Sequence, residues 1–163
     1  PVEQYWRDNR LNMIHEGTHG IQAMDLLGRK VLMEDGRGLK LLAARMQATI
    51  ARASAQPGWQ AEAQQLGQAL AQVGAATQAA WNGAQPAQAL ANAVPYLQAF
   101  GHTVIAWIWL DVAQRASSAQ PADVGRRAAA RYFYRYELPK IGAWLQVVAQ
   151  RDPTCAEVPA EAF

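Results

Sequence analysis

The chain has 163 residues, a mass of 17.8 kDa and a formal net charge of +2, with 15 Lys plus Arg against 13 Asp plus Glu. Its length suits one domain with a true core, because 51% of the residues are hydrophobic and only 17% are charged. A single cysteine, Cys155, excludes an internal disulfide framework and favours a reducing, cytoplasmic setting. The mild charge and the lack of a Lys-rich tract or ribonucleoprotein motif argue against nucleic-acid binding. The longest apolar run, Val104 to Leu110, is too short to cross a membrane.

The residue types predict an all-α fold. The sequence contains 34 Ala and 17 Gln, which form helices well, while Val, Ile and Thr are sparse. We therefore expect an antiparallel bundle of about six helices. The opening from Pro1 has the pattern of a helix interior, so we expect this chain to be part of a longer polypeptide.

Glycines and prolines punctuate the predicted helices. In chain order these cover residues 2–14, 19–32, 39–55, 59–81, 96–116 and 122–150, with a short helical stretch opened by Pro86. Gly17 separates the first two helices, residues 35–38 form a turn, Asn82-Gly83 ends the fourth helix, and Pro139 forces a kink. The helix that begins near Tyr96 is apolar nearly all round, so we expect it to be central and buried. Residues 152–163 show little periodicity.

One pentapeptide suggests chemistry directly: residues 15–19 are His-Glu-Gly-Thr-His. This matches the H-E-x-x-H pattern, in which His15 and His19 would bind zinc and Glu16 would activate water. Gly17 and Thr18 are poor residues for the helix that such a site needs. The extended pattern is also broken, since Gln and Asp stand at positions 22 and 25, and Glu34 lacks the context of a third ligand.

A second interpretation accounts for more of the chain. The segment from Arg7-Asp8 through Glu16-Gly17-Thr18, Ile21-Gln22 and Gly28-Arg29-Lys30 resembles the C-terminal signature of the FAD-dependent acyl-CoA dehydrogenases. From Gly38 onward the chain resembles the additional C-terminal helical domain of the larger members. That second likeness is carried by Gly125-Arg126-Arg127, Ala129-Ala130-Arg131-Tyr132-Phe133, Leu138-Pro139 and Glu161-Ala162-Phe163.

The resemblance implies a reaction and roles for five residues. Enzymes of this family oxidise an acyl-CoA thioester to the trans-2-enoyl-CoA, removing an α-proton and passing a β-hydride to FAD. Glu16 would be the catalytic base, because a carboxylate enclosed by flavin and acyl chain is desolvated and becomes more basic. Gly17 would lie against the substrate. Thr18, His19 and Gly20, at the start of the next helix, would contact the polar part of FAD.

The resemblance also implies partners and a division of the chain. Residues 1–34 would be the last two helices of the dehydrogenase bundle, and residues 38–163 the additional helical domain. The other domains that form the flavin site are not in this chain, so we expect it to be inactive alone and to retain FAD poorly. The implied partners are acyl-CoA, the remaining dehydrogenase domains, electron-transfer flavoprotein and a second copy in a homo-oligomer. His15 and His19 depart from the residues usual in the family and leave the acyl chain undefined.

Other candidate residues have simpler interpretations. We expect His102 to be a satisfied structural residue, Trp107 and Trp109 to pack in the core, and Cys155 to be unreactive in a loose tail. A basic stripe, defined as Arg127, Arg131 and Arg135, is interpreted as a solvated face, with contact to a CoA phosphate or an acidic partner as the alternative. A non-catalytic helical interaction or oligomerisation module is the competing function from another class.

Overall fold

The computed structural model describes residues 2–14 and 18–162, in which every regular element is helical and no strand occurs, with turns and short loops between the helices. The α-helices are α1 (Val2–Ile14), α2 (His19–Asp25), α3 (Met33–Ser54), α4 (Gln60–Trp81), α5 (Pro86–Leu90), α6 (Ala93–Ala113), α7 (Pro121–Tyr132), α8 (Ile141–Gln150) and α9 (Thr154–Glu157). Two π-helical turns, Leu26–Lys30 and Phe133–Glu137, and two 3₁₀ turns, Leu138–Lys140 and Ala160–Ala162, complete them. The predicted all-α bundle is confirmed.

Helix α6 is the central element, because it packs against α2, α3, α4, α7 and α8. Its inner face buries Tyr96 and Leu110 completely, and small alanines between them let the neighbouring helices approach. Its outer face is different: Ile105 and Ile108 are 42% and 50% exposed, and Val112 is exposed beside them. The prediction that this helix is central is confirmed. The prediction that it is buried is wrong for the face that carries Ile105, Ile108 and Val112.

The predicted turn after the second helix lies slightly earlier than residues 35–38. Glu34, Asp35 and Gly36 have φ angles of 49°, 53° and 75°, which are left-handed conformations, while Gly38 is helical. Two non-glycine residues thus adopt a region that costs L-residues energy. The backbone N–H of Gly36 donates to the carbonyl of Leu32 at 3.3 Å, which helps to hold the turn.

Two predicted helices are interrupted by π-helical turns. The helix expected over 19–32 widens at Leu26–Lys30, and the helix expected over 122–150 widens at Phe133–Glu137, just before Pro139. The predicted interruption at Pro139 is confirmed. It extends over two elements, the π turn and the 3₁₀ turn that follows it and contains Pro139. A Cβ built on Gly28 would come within 3.2 Å of Leu90 Cδ2, so glycine permits the close contact between the first π turn and α5.

The tail contains short helices where little periodicity was predicted. Arg151 ends α8 in a left-handed conformation and donates from Nη1 to the carbonyl of Asn82 at 3.0 Å. Asn92 donates to the carbonyl of Asp152 at 2.9 Å. These contacts hold the start of the tail against the α4–α6 connection, whereas the side chains from Pro153 to Ala162 are exposed. In the part of the chain that is described, no helix is both long and apolar enough to cross a bilayer.

Candidate functional site

The site predicted from sequence is described only in part. Glu16 and Gly17, together with His15, lie outside the described residues, whereas Thr18, His19 and Gly20 lie within them. Thr18 has extended backbone angles, and its Oγ1 accepts a hydrogen bond from the N–H of Ile21 at 3.3 Å. It therefore caps α2 as the sequence predicts, since a threonine at this position satisfies a first-turn donor.

The N-terminal end of α2 is open to solvent. Thr18 and His19 are exposed, and among the described residues a Cβ added to Gly20 would approach Thr18 Oγ1, at 3.9 Å. The first N–H groups of a helix have no acceptor within it and carry a partial positive charge. The chemistry of an exposed hydroxyl and of these donors would suit the polar, phosphate-bearing part of a cofactor such as FAD.

The other end of this segment is fixed by an ion-pair cluster. Arg29 donates to both carboxylate oxygens of Asp25, at 2.5 and 2.9 Å, and Lys30 Nζ lies 3.2 Å from Asp25 Oδ2. The hydrogen bond from Arg29 is the main cause that lowers the pKa of Asp25. Ala23 and Leu27 are buried in the same core as α6. The buried Ala23 and Leu27 therefore anchor the segment that follows the predicted base, and the ion pairs support its local helical geometry.

Two residues of the zinc interpretation, His15 and Glu16, lie outside the described residues. No group of three or more metal-ligating side chains occurs in residues 2–14 and 18–162. The proposed third ligand, Glu34, pairs instead with Arg37 at 2.9 Å. His102 is half-buried: its Nδ1 lies 3.0 Å from the carbonyl oxygen of Gln98 and its ring meets Trp144 edge-on at 4.8 Å. The prediction that His102 is a satisfied structural residue is confirmed.

The basic stripe is not simply a solvated face. Arg127 Nη1 donates to the carbonyls of Ala116 and Ser118, which ties α7 to the end of α6. The Arg131 guanidinium lies over the Trp59 ring, 5.2 Å from its centroid. Arg135 is exposed in the second π turn, which breaks the regular spacing. The solvated-face interpretation is wrong for Arg127, whose guanidinium is bound by carbonyls of this chain, whereas Arg131 and Arg135 are exposed.

Sequence reasoning missed a polar cluster between α3 and α6. Asp111 receives hydrogen bonds from Arg52 at 2.8 Å and from Arg115 at 3.1 Å. Thr49 is buried beside them and accepts from Trp107 Nε1 at 2.8 Å. The four-residue spacing of Asp111 and Arg115 gave a local signal, but the contact to Arg52 spans 59 positions and has none. Trp107 and Trp109 are half-buried against the core, as predicted.

Comparison with known proteins identifies the family of these helices. The family described as acetyl-CoA dehydrogenase C-terminal like matches residues 42–159, which is most of the chain. The 3-methylmercaptopropionyl-CoA dehydrogenase of Ruegeria pomeroyi is 39% identical over 130 residues, which cover 76% of this chain and 21% of that protein. A broad-specificity linear acyl-CoA dehydrogenase of Mycobacterium tuberculosis is 26% identical over 180 aligned positions, covering the whole chain and 30% of that protein.

The chain thus spans between about a fifth and a third of the length of these relatives. The family match covers the arginine-rich segment of α7, whereas the Glu-Gly-Thr segment precedes it and falls within the alignment to the M. tuberculosis protein. The chain belongs to the acyl-CoA dehydrogenases, as a C-terminal helical region of that family.

Proposed function

We propose that this chain is the C-terminal part of a FAD-dependent acyl-CoA dehydrogenase that forms trans-2-enoyl-CoA, and that Glu16 is its catalytic base. The family match and the Glu-Gly-Thr sequence immediately before α2 support this proposal. The observation that carries it is the position of the cap: Thr18 caps the exposed N-terminal end of α2, and Glu16 stands two residues before it in the sequence.

Each residue of the turn has a distinct task in this proposal. Glu16 removes the α-proton, and the backbone N–H of Glu16 helps to polarise the thioester carbonyl. Gly17 lets the backbone approach the substrate without a side chain in the way. Thr18, His19 and Gly20 hold the polar edge of FAD, which accepts the β-hydride when bound. Electron-transfer flavoprotein is the proposed acceptor of the electrons.

We also propose that residues 1–34 belong to the dehydrogenase bundle and residues 38–163 to the additional domain. The left-handed break at Glu34–Gly36 lies at this boundary and supports it. The two parts are not separate bodies, because Ala23 and Leu27 share one hydrophobic core with α4 and α6. The additional domain therefore packs directly on the segment that follows the base.

Exposed apolar side chains support packing on the remaining dehydrogenase domains or on a second subunit. Tyr5, Trp6 and Leu11 of α1 are 73%, 60% and 60% exposed, and the described side chains of this helix are all exposed. A 13-residue helix without tertiary contacts is marginal in water. Three large apolar groups exposed around one helix favour an interaction surface, so we assign α1 to contacts with the rest of the enzyme.

Substituting Glu16 by Gln in the longer dehydrogenase that contains this chain tests the base. We expect turnover of acyl-CoA to fall by roughly 10²-fold or more, because general-base catalysis contributes about that much. FAD absorbance of the purified protein should stay unchanged, since the amide keeps the shape of the carboxylate. Glu34→Gln, an exposed carboxylate in the same region, is the matched control and should retain activity. A fully active Glu16→Gln enzyme would remove Glu16 from the mechanism.

The isolated 163-residue chain, supplied with FAD and a saturated acyl-CoA, should show no turnover. Among the described residues, Thr18, His19 and Gly20 are proposed to contact the cofactor, and the rest of the site is proposed to come from other domains. Measurable enoyl-CoA formation by this chain would contradict the proposal. A longer protein that binds neither FAD nor acyl-CoA would favour the non-catalytic interaction module.

A further inference from the structure

A cavity of about 230 Å³ opens between α3 and α6, and none of its lining residues has a role in the proposed dehydrogenation. Three arginines line it: Arg45 and Arg52 from α3, and Arg115 just beyond the end of α6. Its other polar groups are Thr49, Trp107 and Asp111. Drug-sized ligands occupy about 300–1,000 Å³, so this volume suits a small ligand or one end of a larger one.

Asp111 orders two of the three guanidinium groups before any ligand arrives. It accepts from Arg52 Nη2 at 2.8 Å and pairs with Arg115 Nη2 at 3.1 Å, although Arg52 belongs to α3 and Arg115 follows α6. Arg52 Nη2 also lies 3.1 Å from Thr49 Oγ1. The two positively charged side chains are thereby held side by side. Because they lose less conformational entropy when a ligand binds, the entropic cost of binding is reduced.

The cavity carries an excess of positive charge and of hydrogen-bond donors. Three arginines face one carboxylate, and no carboxylate among the described residues pairs with Arg45. Each guanidinium has five N–H donors, so many remain available after Asp111 is satisfied. Arg52 and Arg115 are 50% and 69% exposed, which leaves them accessible to a ligand from solvent.

In a neighbouring cavity of about 240 Å³, by contrast, the positive and negative side chains are equal in number. It shares Asp111 and Arg115 but adds one carboxylate and one arginine, Asp123 and Arg126, which pair with each other at 2.7 Å. Its charges therefore cancel. The uncompensated charge belongs to the side on which Arg45 lies.

We propose that the cavity between α3 and α6 binds the dianionic phosphate group of a small phosphorylated molecule, with Arg45, Arg52 and Arg115 as donors. Planar guanidinium groups match phosphate oxygens in pairs, which makes such hydrogen bonds both stronger and more directional than neutral ones. Trp107 lies at the wall with its Nε1–H fixed to Thr49, so its ring position is set and its indole signal reports on occupancy.

The test is titration of the 163-residue chain with two probes, inorganic phosphate and adenosine 5′-monophosphate, at a fixed ionic strength near 0.15 M. Binding is followed by calorimetry and by the NMR signal of the Trp107 indole N–H, assigned with Trp107→Phe. We expect saturable binding of at least one probe and a shift of that signal. Equal affinity for both probes identifies free phosphate as the ligand chemistry, and tighter binding of the nucleotide identifies an organic phosphate.

Arg45→Ala is the decisive variant. The Arg45 side chain is exposed and forms no ion pair within the described chain, so its removal should not affect folding. It should weaken binding about tenfold, the loss expected for one charge-assisted contact. Arg37→Ala, on the same helix and also exposed, is the matched control and should bind as the parent does. Equal weakening by both variants would reduce the effect to overall charge and overturn the proposal, as would the absence of saturable binding of either probe.

Discussion

At the scale of single residues, two tyrosines place hydroxyl groups inside the bundle. The Tyr96 hydroxyl lies 2.7 Å from Thr77 Oγ1, and the Tyr134 hydroxyl donates to the carbonyl of Ala106 at 3.0 Å. Both rings are fully buried. Burial raises the pKa of Tyr96, against a smaller lowering by Thr77, and burial also raises the pKa of Tyr134 above its ordinary value.

These pKa values predict a loss of stability in alkali. The stabilisation is fully present below the unfolded-state pKa of about 10 and is lost as pH rises above it, because only the unfolded chain then releases the phenolic protons. We expect the free energy of unfolding, measured in urea, to fall between pH 9 and pH 11. Tyr96→Phe, which should cost about 1 kcal/mol at pH 7, should make that fall shallower.

Tyr132→Phe is the control for this experiment, since the Tyr132 side chain is exposed and is not part of the core. It should leave the alkaline slope of the parent unchanged. An equally steep slope in Tyr96→Phe and in the parent would show that Tyr96 does not contribute to the pH dependence.

At the scale of elements, the positions of helices could be predicted from glycine, proline and apolar spacing, whereas their internal geometry could not. Asn82-Gly83, Pro86 and Pro139 act locally, so the sequence around them carries the whole signal. The π turns depend on distant partners: Trp81 Nε1 donates to the carbonyl of Leu27 at 3.1 Å, across 54 positions. The sequence from Leu26 to Lys30 does not indicate that its backbone receives this hydrogen bond.

Trp81→Phe tests whether this indole supports the first π turn. We expect it to lower the free energy of unfolding by about 1 kcal/mol more than Trp109→Phe does. Both rings are half-buried against the same core, so the difference between the two variants isolates the hydrogen bond. Equal losses in urea unfolding would mean that the Leu27 carbonyl does not need the indole.

The candidate site shows the same division between local and distant signals. The Thr18 cap could be predicted because capping involves residues within one turn. The arginine cavity could not, since it needs Asp111 to meet Arg52 across the bundle. The role of Arg127 could not be predicted for the same reason, because its partners, the carbonyls of Ala116 and Ser118, lie outside α7.

At the scale of the whole molecule, one face of the central helix has no cover within the described chain. Ile105 and Ile108 of α6 are exposed, although the other sides of α6 contact five helices. A surface that is buried in a larger assembly should tolerate a charge in isolation but not in the assembly.

Ile108→Glu should therefore change the unfolding free energy of the isolated chain by less than about 0.5 kcal/mol, as surface substitutions usually do. In the longer dehydrogenase it should disturb domain packing or subunit association, measured by light scattering and limited proteolysis. Ala61→Glu, exposed on α4, is the control and should leave both proteins unchanged. A longer enzyme with unchanged mass and protease resistance would place the partner surface elsewhere.

The abundance of buried alanine gives this fold a one-sided tolerance to mutation. Ala63, Ala76, Ala99 and Ala106 are among the alanines that fill the contacts between α4, α6 and their neighbours, and each is at most 2% exposed. A methyl group is too small for its removal to open a large void, but any larger side chain has to push two helices apart. Substitution of these buried alanines by a smaller residue is therefore tolerated better than substitution by a larger one. Larger side chains are expected to be tolerated at the surface. We therefore expect the distances between the helices to stay nearly constant during evolution. Substitutions should accumulate on the outer faces, which contact partners and ligands.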